Sequence, residues 1–308
     1  VLLLSRIIDG LTAGDMPVLF AYLADITEPE QRAQRYGLIG GLSGVGFMIG
    51  PAMGGLLAHV DLNAPVFVTA AIALVIGILT AVVLPETHRP ENRITDIKAT
   101  DLNPFTVIAD AFKRKELRAL MIGFALISLP FSFFANNFSV LALDTINWGP
   151  TQVGLLTSLV GVTDIVVQGV LLGFLVKWFG ERGVVIGGMV GQLIGSIGLA
   201  VTAAFVPSVV LFGSAALIFA AGQGAQTATM DGMLTGAVDA SEQGWLAGAF
   251  TSLGSAVQMV GPLLAGWVYV AISHAFPYWL GAGLVVAAIV VIATSARTAK
   301  QATQPAVA

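Results

Sequence analysis

The sequence predicts an all-α polytopic membrane protein, and three observations carry that prediction. The chain is 56% hydrophobic and only 10% charged, with 36 glycines and a mean hydropathy of +0.88. Apolar stretches close to the roughly 20 residues that cross a bilayer recur along the whole chain. Basic residues fall, with one exception, in alternate connections between those stretches. A soluble domain carries about a quarter charged residues, so this composition excludes one. The net charge of -4 offers no basic face to nucleic acid. The absence of cysteine excludes disulfides, thiolate metal sites and thiol catalysis. His59, His88 and His274 all fall at expected loop positions, too scattered for a metal cluster. No cofactor is expected.

Nine spans follow, at 1–24, 37–58, 65–85, 118–141, 152–176, 184–204, 208–230, 245–271 and 276–295. Arg32 and Arg35 lie between the first and second spans. Arg89, Arg93, Lys98, Lys113, Arg114, Lys115 and Arg118 lie between the third and fourth. Lys177 and Arg182 lie between the fifth and sixth, and Arg297 and Lys300 in the tail. The other connections, around Asp61, Asp144, Pro207 and His274, hold no Lys or Arg. This alternation puts the basic loops and the C-terminal tail in the cytoplasm. Arg6 alone lies inside a span.

The chain divides into three helices (1–85), a cytoplasmic linker (86–117), a six-helix bundle (118–295) and a cytoplasmic tail (296–308). The linker holds Pro90 and Pro104 and 12 of the 32 charged residues, with a short surface helix expected near 103–115.

The second span contains GFMIGPAMGG, residues 46–55. Gly46, Gly50 and Gly54 are spaced by four, so they share a helix face where a neighbouring backbone can come close. Pro51 removes one helix hydrogen bond within this strip, and Gly55 follows. Shifted by 211 residues, Gly37, Leu42, Met48, Gly50, Pro51 and Gly55 fall on Gly248, Leu253, Met259, Gly261, Pro262 and Gly266. The first three helices therefore correspond to the last three. The middle three have no counterpart before Val1, and an N-terminally truncated chain lacking three helices is expected. Such a chain is not expected to transport alone.

Further motifs carry a family resemblance. Arg6 is followed by Gly10 and Gly14 at four-residue spacing. Residues 21–33 read AYLADITEPEQRA, with Tyr36-Gly37 after them. Leu84-Pro85-Glu86-Thr87 closes the third span, and GFLVKWFGER occupies 173–182. Together with residues 46–55, these resemble the major facilitator superfamily, and within it the drug/proton antiporters close to the tetracycline efflux proteins. The resemblance implies a twelve-helix fold of which nine helices, the fourth to the twelfth, are present. It implies that Arg6 tunes proton coupling and that 46–55 is the antiporter motif of the fifth helix. The loop motif is Gly173, Lys177, Gly180 and Arg182, with Lys177 where an aspartate is usual.

Polar residues inside the spans are the candidate site. A charge at mid-bilayer costs about 2.5–3.5 kcal/mol on insertion scales, so such residues are functional by default. Arg6 and Asp9 are three apart and can pair, either as a proton-coupling site or as a static ion pair. Asp164 and Gln168, four apart, form either a cavity patch or a helix–helix hydrogen-bond pair. Asn136 and Asn137 sit among Phe131, Phe133, Phe134 and Phe138, a mixture suited to an amphipathic ligand. Most of those rings are expected to face lipid. Gln223, Gln226 and Gln258 complete the candidate cavity, and Asp231 is expected to be solvated near the inner end.

The reading that follows is a proton-coupled exporter of a small amphipathic compound, working by alternating access of two bundles. Its partners are that compound, protons and the lipid bilayer. A monomer in the inner cell membrane is expected. The alternatives are a metabolite or sugar permease of the same superfamily and, from another class, a non-transporting membrane sensor. No nucleophile–base or metal constellation favours an enzyme. A reporter that fluoresces only in the cytoplasm should be bright when fused after Ala308 and dark when inserted at Pro207.

Overall fold

A bilayer offers no partner to a bare backbone N–H or C=O, so each apolar stretch must close its own hydrogen bonds as helix. The computed structural model describes residues 4, 5, 7, 8, 12, 15–28, 31–87, 104–235 and 243–302, and its regular structure there is all helical. The elements are α1 (Asp15–Ile26), α2 (Arg32–Val60), α3 (Ala64–Val83), α4 (Pro104–Lys113), α5 (Lys115–Ile146) and α6 (Pro150–Val166). A π-helical turn (Val167–Leu171) leads into α7 (Leu172–Ala204), then α8 (Val209–Thr235), α9 (Gln243–Ala271) and α10 (Phe276–Ala302).

Seven stretches of the described residues are long and apolar enough to cross a membrane. One of them, Pro150–Ala204, is 55 residues long. At about 1.5 Å per residue this is roughly 80 Å of helix, against about 30 Å of hydrocarbon. It therefore crosses twice, as the sequence predicts, and the turn is Gly180, with φ 69° and ψ 161°. That conformation is essentially open to glycine alone. Just past the turn, Arg182 Nη2 donates to the carbonyl of Ala293 at 2.7 Å and of Ile292 at 3.4 Å, tying the turn to α10. The expected span 1–24 is described only in part, through α1.

The internal repeat is visible in helix boundaries. α2 ends at Val60 and α9 at Ala271, 211 residues apart. Each stays helical through its proline, Pro51 or Pro262. The expected linker helix is α4. Its Ala111 is buried with Leu117, Leu246 and Ala249, so it packs on the starts of α5 and α9. Two contacts link described residues of the basic connections and the helix ends beside them. Thr87 Oγ1 donates to Asp25 Oδ2 at 2.9 Å, and the Arg114 guanidinium lies 4.3 Å over the Trp245 ring.

Three expectations are corrected. Asp144 is not in a loop; it sits in the last turn of α5 and accepts a hydrogen bond from Tyr269 Oη at 2.7 Å. His59 likewise lies in the last turn of α2, while His88 is outside the described residues. The phenylalanines of α5 do not face lipid. Phe133, Phe134 and Phe138 are 1%, 8% and 4% exposed. Phe134 stacks on Phe219 at 4.5 Å and Phe138 on Phe212 at 4.9 Å. Their rings fill the space between α5 and α8, where stacking adds to packing. By contrast α3 is apolar along its length and buries no residue.

Gly180→Ala should destabilise the bundle by about 1–3 kcal/mol, because alanine at that backbone geometry is strained. Thermal unfolding in detergent measures it, and Gly173→Ala, at an open helical position, is the unaffected control.

Candidate functional site

The glycine strip of α2 is the first element of the site, and the structure moves it. A Cβ added at Gly46, Gly50 or Gly54 would meet no described residue within 4 Å. A Cβ at Gly55 would stand 2.7 Å from the Pro150 carbonyl oxygen and 3.2 Å from Gly154 Cα. One at Gly161 would stand 3.1 Å from Met48 Cα, and Gly44 faces Ile165. The face of α2 that closes on α6 is therefore Gly44, Met48, Pro51 and Gly55. At 100° per residue it lies about 130° around the helix from the Gly46–Gly50–Gly54 stripe. The four-residue spacing marks a smooth stripe but does not say which face of α2 meets α6. Thr151 Oγ1 adds a hydrogen bond across the seam to the Gly55 carbonyl at 3.1 Å.

A second seam joins α7 to α8. Gly188 faces the Gly222 carbonyl and Gln226, Gly191 faces Gly222 Cα, and Gly195 faces Phe219. Close approach here creates room for a buried amide chain. Gln226 Nε2 donates to Gln192 Oε1 at 2.7 Å and to Gln223 Oε1 at 2.8 Å. Gln192 Nε2 donates to the Ile127 carbonyl of α5 at 3.2 Å, and Gln223 Nε2 to Thr227 Oγ1 at 3.1 Å. Gln192 and Gln226 are fully buried. Sequence reasoning missed Gln192. Its signal was an amide inside an uncharged, glycine-rich span, which must find a buried partner.

This chain ends at a cavity of about 210 Å³ between α5, α8 and α9. Phe124 and Phe131 supply apolar wall, and Gln223, Thr227 and Gln258 supply polar groups. Asp231, expected to be merely solvated, is the one charged residue of this lining. Such a lining accepts a flat apolar body and orients it by a few polar contacts.

The predicted site residues thus divide. Gln223 and Gln258 line the cavity, and Gln226 stands behind it. Asp164 and Gln168 do not line it. They meet over Gly224 at the contact of α6 with α8, with Gln168 in the π-helical turn. Asn136 is exposed and donates to the Ser132 carbonyl at 2.8 Å, while Asn137 is buried with its Nδ2 unpartnered among the described residues. Neither lines this cavity. Of the loop motif, Gly180 makes the turn and Arg182 ties it, whereas Gly173 and Lys177 are exposed. Arg6 and Asp9 lie outside the described residues.

Comparison with known proteins agrees with this architecture. The model of the Major Facilitator Superfamily matches residues 1–219 and again 120–307. The tetracycline resistance protein, class C, of Escherichia coli is 30% identical over 275 residues, covering 88% of this chain and 67% of that protein. Multidrug resistance protein 2 of Bacillus subtilis is 27% identical over 272 residues, covering 86% of this chain and 65% of that protein. In fold, the chain superposes on the crystal structure of the human organic anion transporter MFSD10 (TETRAN) with a TM-score of 0.69. That match has 23% identity and covers 94% of this chain and 70% of that one.

Two outcomes test the geometry. Gln226→Leu strands the buried Gln192 carbonyl oxygen and should cost about 1–3 kcal/mol, with part recovered in the Gln192→Leu/Gln226→Leu double variant. Gly55→Leu should break the α2–α6 seam, measured as loss of folded protein in detergent, whereas Gly50→Leu should leave the seam intact.

Proposed function

This chain belongs to the Major Facilitator Superfamily, and from that premise we propose that it exports a small amphipathic compound in exchange for protons. It is an integral membrane protein of a transporter family. The observation that carries the export reading is the cavity between α5, α8 and α9. It sets Phe124 and Phe131 beside Gln223, Gln258 and Asp231. The rings hold an apolar body, the amides orient it, and the carboxylate favours a compound bearing a basic or cationic group. The curated relatives are resistance proteins against tetracycline or several drugs, which supports an antibiotic-like substrate.

The basic connections support an orientation with the C-terminus in the cytoplasm of an inner cell membrane. Arg6 remains the coupling residue that the resemblance implies, with Asp9, three residues on, as the carboxylate it would pair with, and the protein works as a monomer. The bundle 118–295 holds the cavity, and the seam at Gly55 and Gly154 joins it to the three helices before the linker.

Inverted membrane vesicles carrying the protein from its full reading frame should accumulate tetracycline when a pH gradient is imposed, and lose it when the gradient is collapsed. Phe131→Ala and Gln258→Ala should raise the apparent KM by about threefold to thirtyfold, the equivalent of about 0.7–2 kcal/mol of lost contact. No gradient-dependent accumulation across a broad drug panel removes the export reading.

A further inference from the structure

The amide chain behind the cavity has a direction, and a backbone group sets it. A side-chain amide can turn either its oxygen or its N–H pair to a neighbour, and the two ends have nearly the same shape. A backbone carbonyl can only accept. The Ile127 carbonyl of α5 therefore obliges Gln192 to turn Nε2 toward it, at 3.2 Å. Gln192 Oε1 is then the end that faces α8, and Gln226 must offer it Nε2, at 2.7 Å. The other hydrogen of the same Nε2 reaches Gln223 Oε1 at 2.8 Å. Gln223 Oε1 is thus held toward the buried side, and its Nε2 is the end turned to Thr227 Oγ1, at 3.1 Å.

The opposite orientation is closed at each step. Turning Gln226 over would set its oxygen against two oxygens, Gln192 Oε1 and Gln223 Oε1. Turning all three amides would set Gln192 Oε1 against the Ile127 carbonyl. The observed direction leaves one acceptor, Gln226 Oε1, buried without a partner among the described residues. That is the milder defect, since a buried carbonyl oxygen goes unpaired more readily than a buried N–H. Gln192 and Gln226 are both fully buried, so neither can trade its partner for water.

At the cavity the chain ends in donors. Gln223 Nε2 carries two hydrogens and gives one to Thr227, so the second has no acceptor among the described residues. The Thr227 hydroxyl accepts that bond and donates to no described residue. Both side chains line the cavity, and so does Asp231. Gln223, Thr227 and Asp231 recur every four residues along one face of α8, about 6 Å apart. Gln258, on α9, is exposed and can turn either end of its amide to a ligand, so it adapts where Gln223 selects.

We infer that the cavity selects compounds carrying a carbonyl-type acceptor oxygen on an apolar ring body, about 6–12 Å from a basic nitrogen. The oxygen meets Gln223 Nε2 and the Thr227 hydroxyl, and the nitrogen meets Asp231. Gln192 and Gln226 touch no ligand. They are positioning residues, which hold the donor end of Gln223 toward it. The inference rests on the cavity's being the substrate site, as read above, and adds the oxygen that the compound must carry. A site built to hydrogen-bond a group rejects the analogue that lacks it, because its own polar groups are then left unpaired.

Two probes that differ only at that oxygen test this: a fluorenone bearing a dimethylaminopropyl chain, and the fluorene with the same chain. Equilibrium dialysis against the purified full-reading-frame protein in detergent gives a Kd for each, and the quantity read is their ratio. The wild type should bind the fluorenone about tenfold more tightly. The Gln192→Leu/Gln226→Leu double variant replaces the buried chain by apolar groups and leaves Gln223 free to turn. It should bring the ratio to about threefold or less, in protein whose thermal unfolding shows it folded. Thr227→Val, which leaves the buried chain intact, should lower the ratio as well. Asp231→Asn meets the nitrogen common to both probes and should weaken them in step. If the double variant also weakens both probes in step, the glutamines are only structural and the proposal is overturned. No binding of either probe overturns it too. Wild-type protein that exports tetracycline but shows a ratio near one refutes the donor selection alone. A tenfold ratio that depends on the glutamines, in protein that accumulates no drug in vesicles, would instead sink the export reading and leave the selection standing.

Discussion

Two helices in hydrocarbon gain little by hiding apolar side chains, because lipid is as apolar as leucine. Close backbone approach has to supply the attraction, through dispersion and weak Cα–H···O contacts. In this protein that approach is made at glycine. Gly55 lies against Gly154 and the Pro150 carbonyl, and Gly188 and Gly191 lie against Gly222. The first seam joins the helices before the linker to the bundle after it. The second binds α7 to α8 and fixes the position of everything polar in the bundle. Gln192 and Gln226 can exchange a hydrogen bond at 2.7 Å because the backbones beside them are bare.

The second seam makes α8 the element on which the functional features meet. Gly222 and Gln226 face α7, Gln223 faces the cavity, and Gly224 faces Asp164. Four residues of one helical turn thus reach three environments. An α-helix distributes consecutive side chains at about 100° intervals, so a short glutamine- and glycine-rich turn can serve several neighbours at once. The arrangement is economical for a protein that must transmit a change between sites. A small displacement of this turn alters the amide chain, the cavity wall and the surroundings of a carboxyl together.

The duplicated helices α2 and α9 play unequal parts. They share the proline position and the C-terminal end at a 211-residue offset, yet their glycines are used differently. Gly55 packs against α6, whereas its counterpart Gly266 meets no described residue, and Gly261 instead faces Ser132 of α5. A duplicated fold keeps the geometry of a kinkable, glycine-lined helix in each half and adapts its contacts to different neighbours. α9 also contributes Gln258 to the cavity wall.

Composition and the recurrence of apolar stretches alone determined that this is a helical membrane protein. That property is set by transfer of each residue between water and lipid, which depends on the residue and its neighbours in sequence. The repeat, the linker helix at Pro104–Lys113 and the turn at Gly180 were legible for the same local reason. The site was legible only as an inventory of polar residues in apolar spans. Which of them meet was decided by helix rotation about its axis, which periodicity leaves free. The tertiary structure turned the α5 phenylalanines inward, put Gln223 and Gln258 on one cavity with Asp231, and set Asp164 apart over Gly224. It also chose Gly55 over Gly50 as the point of contact, because a smooth stripe becomes a seam only where a second smooth stripe lies opposite.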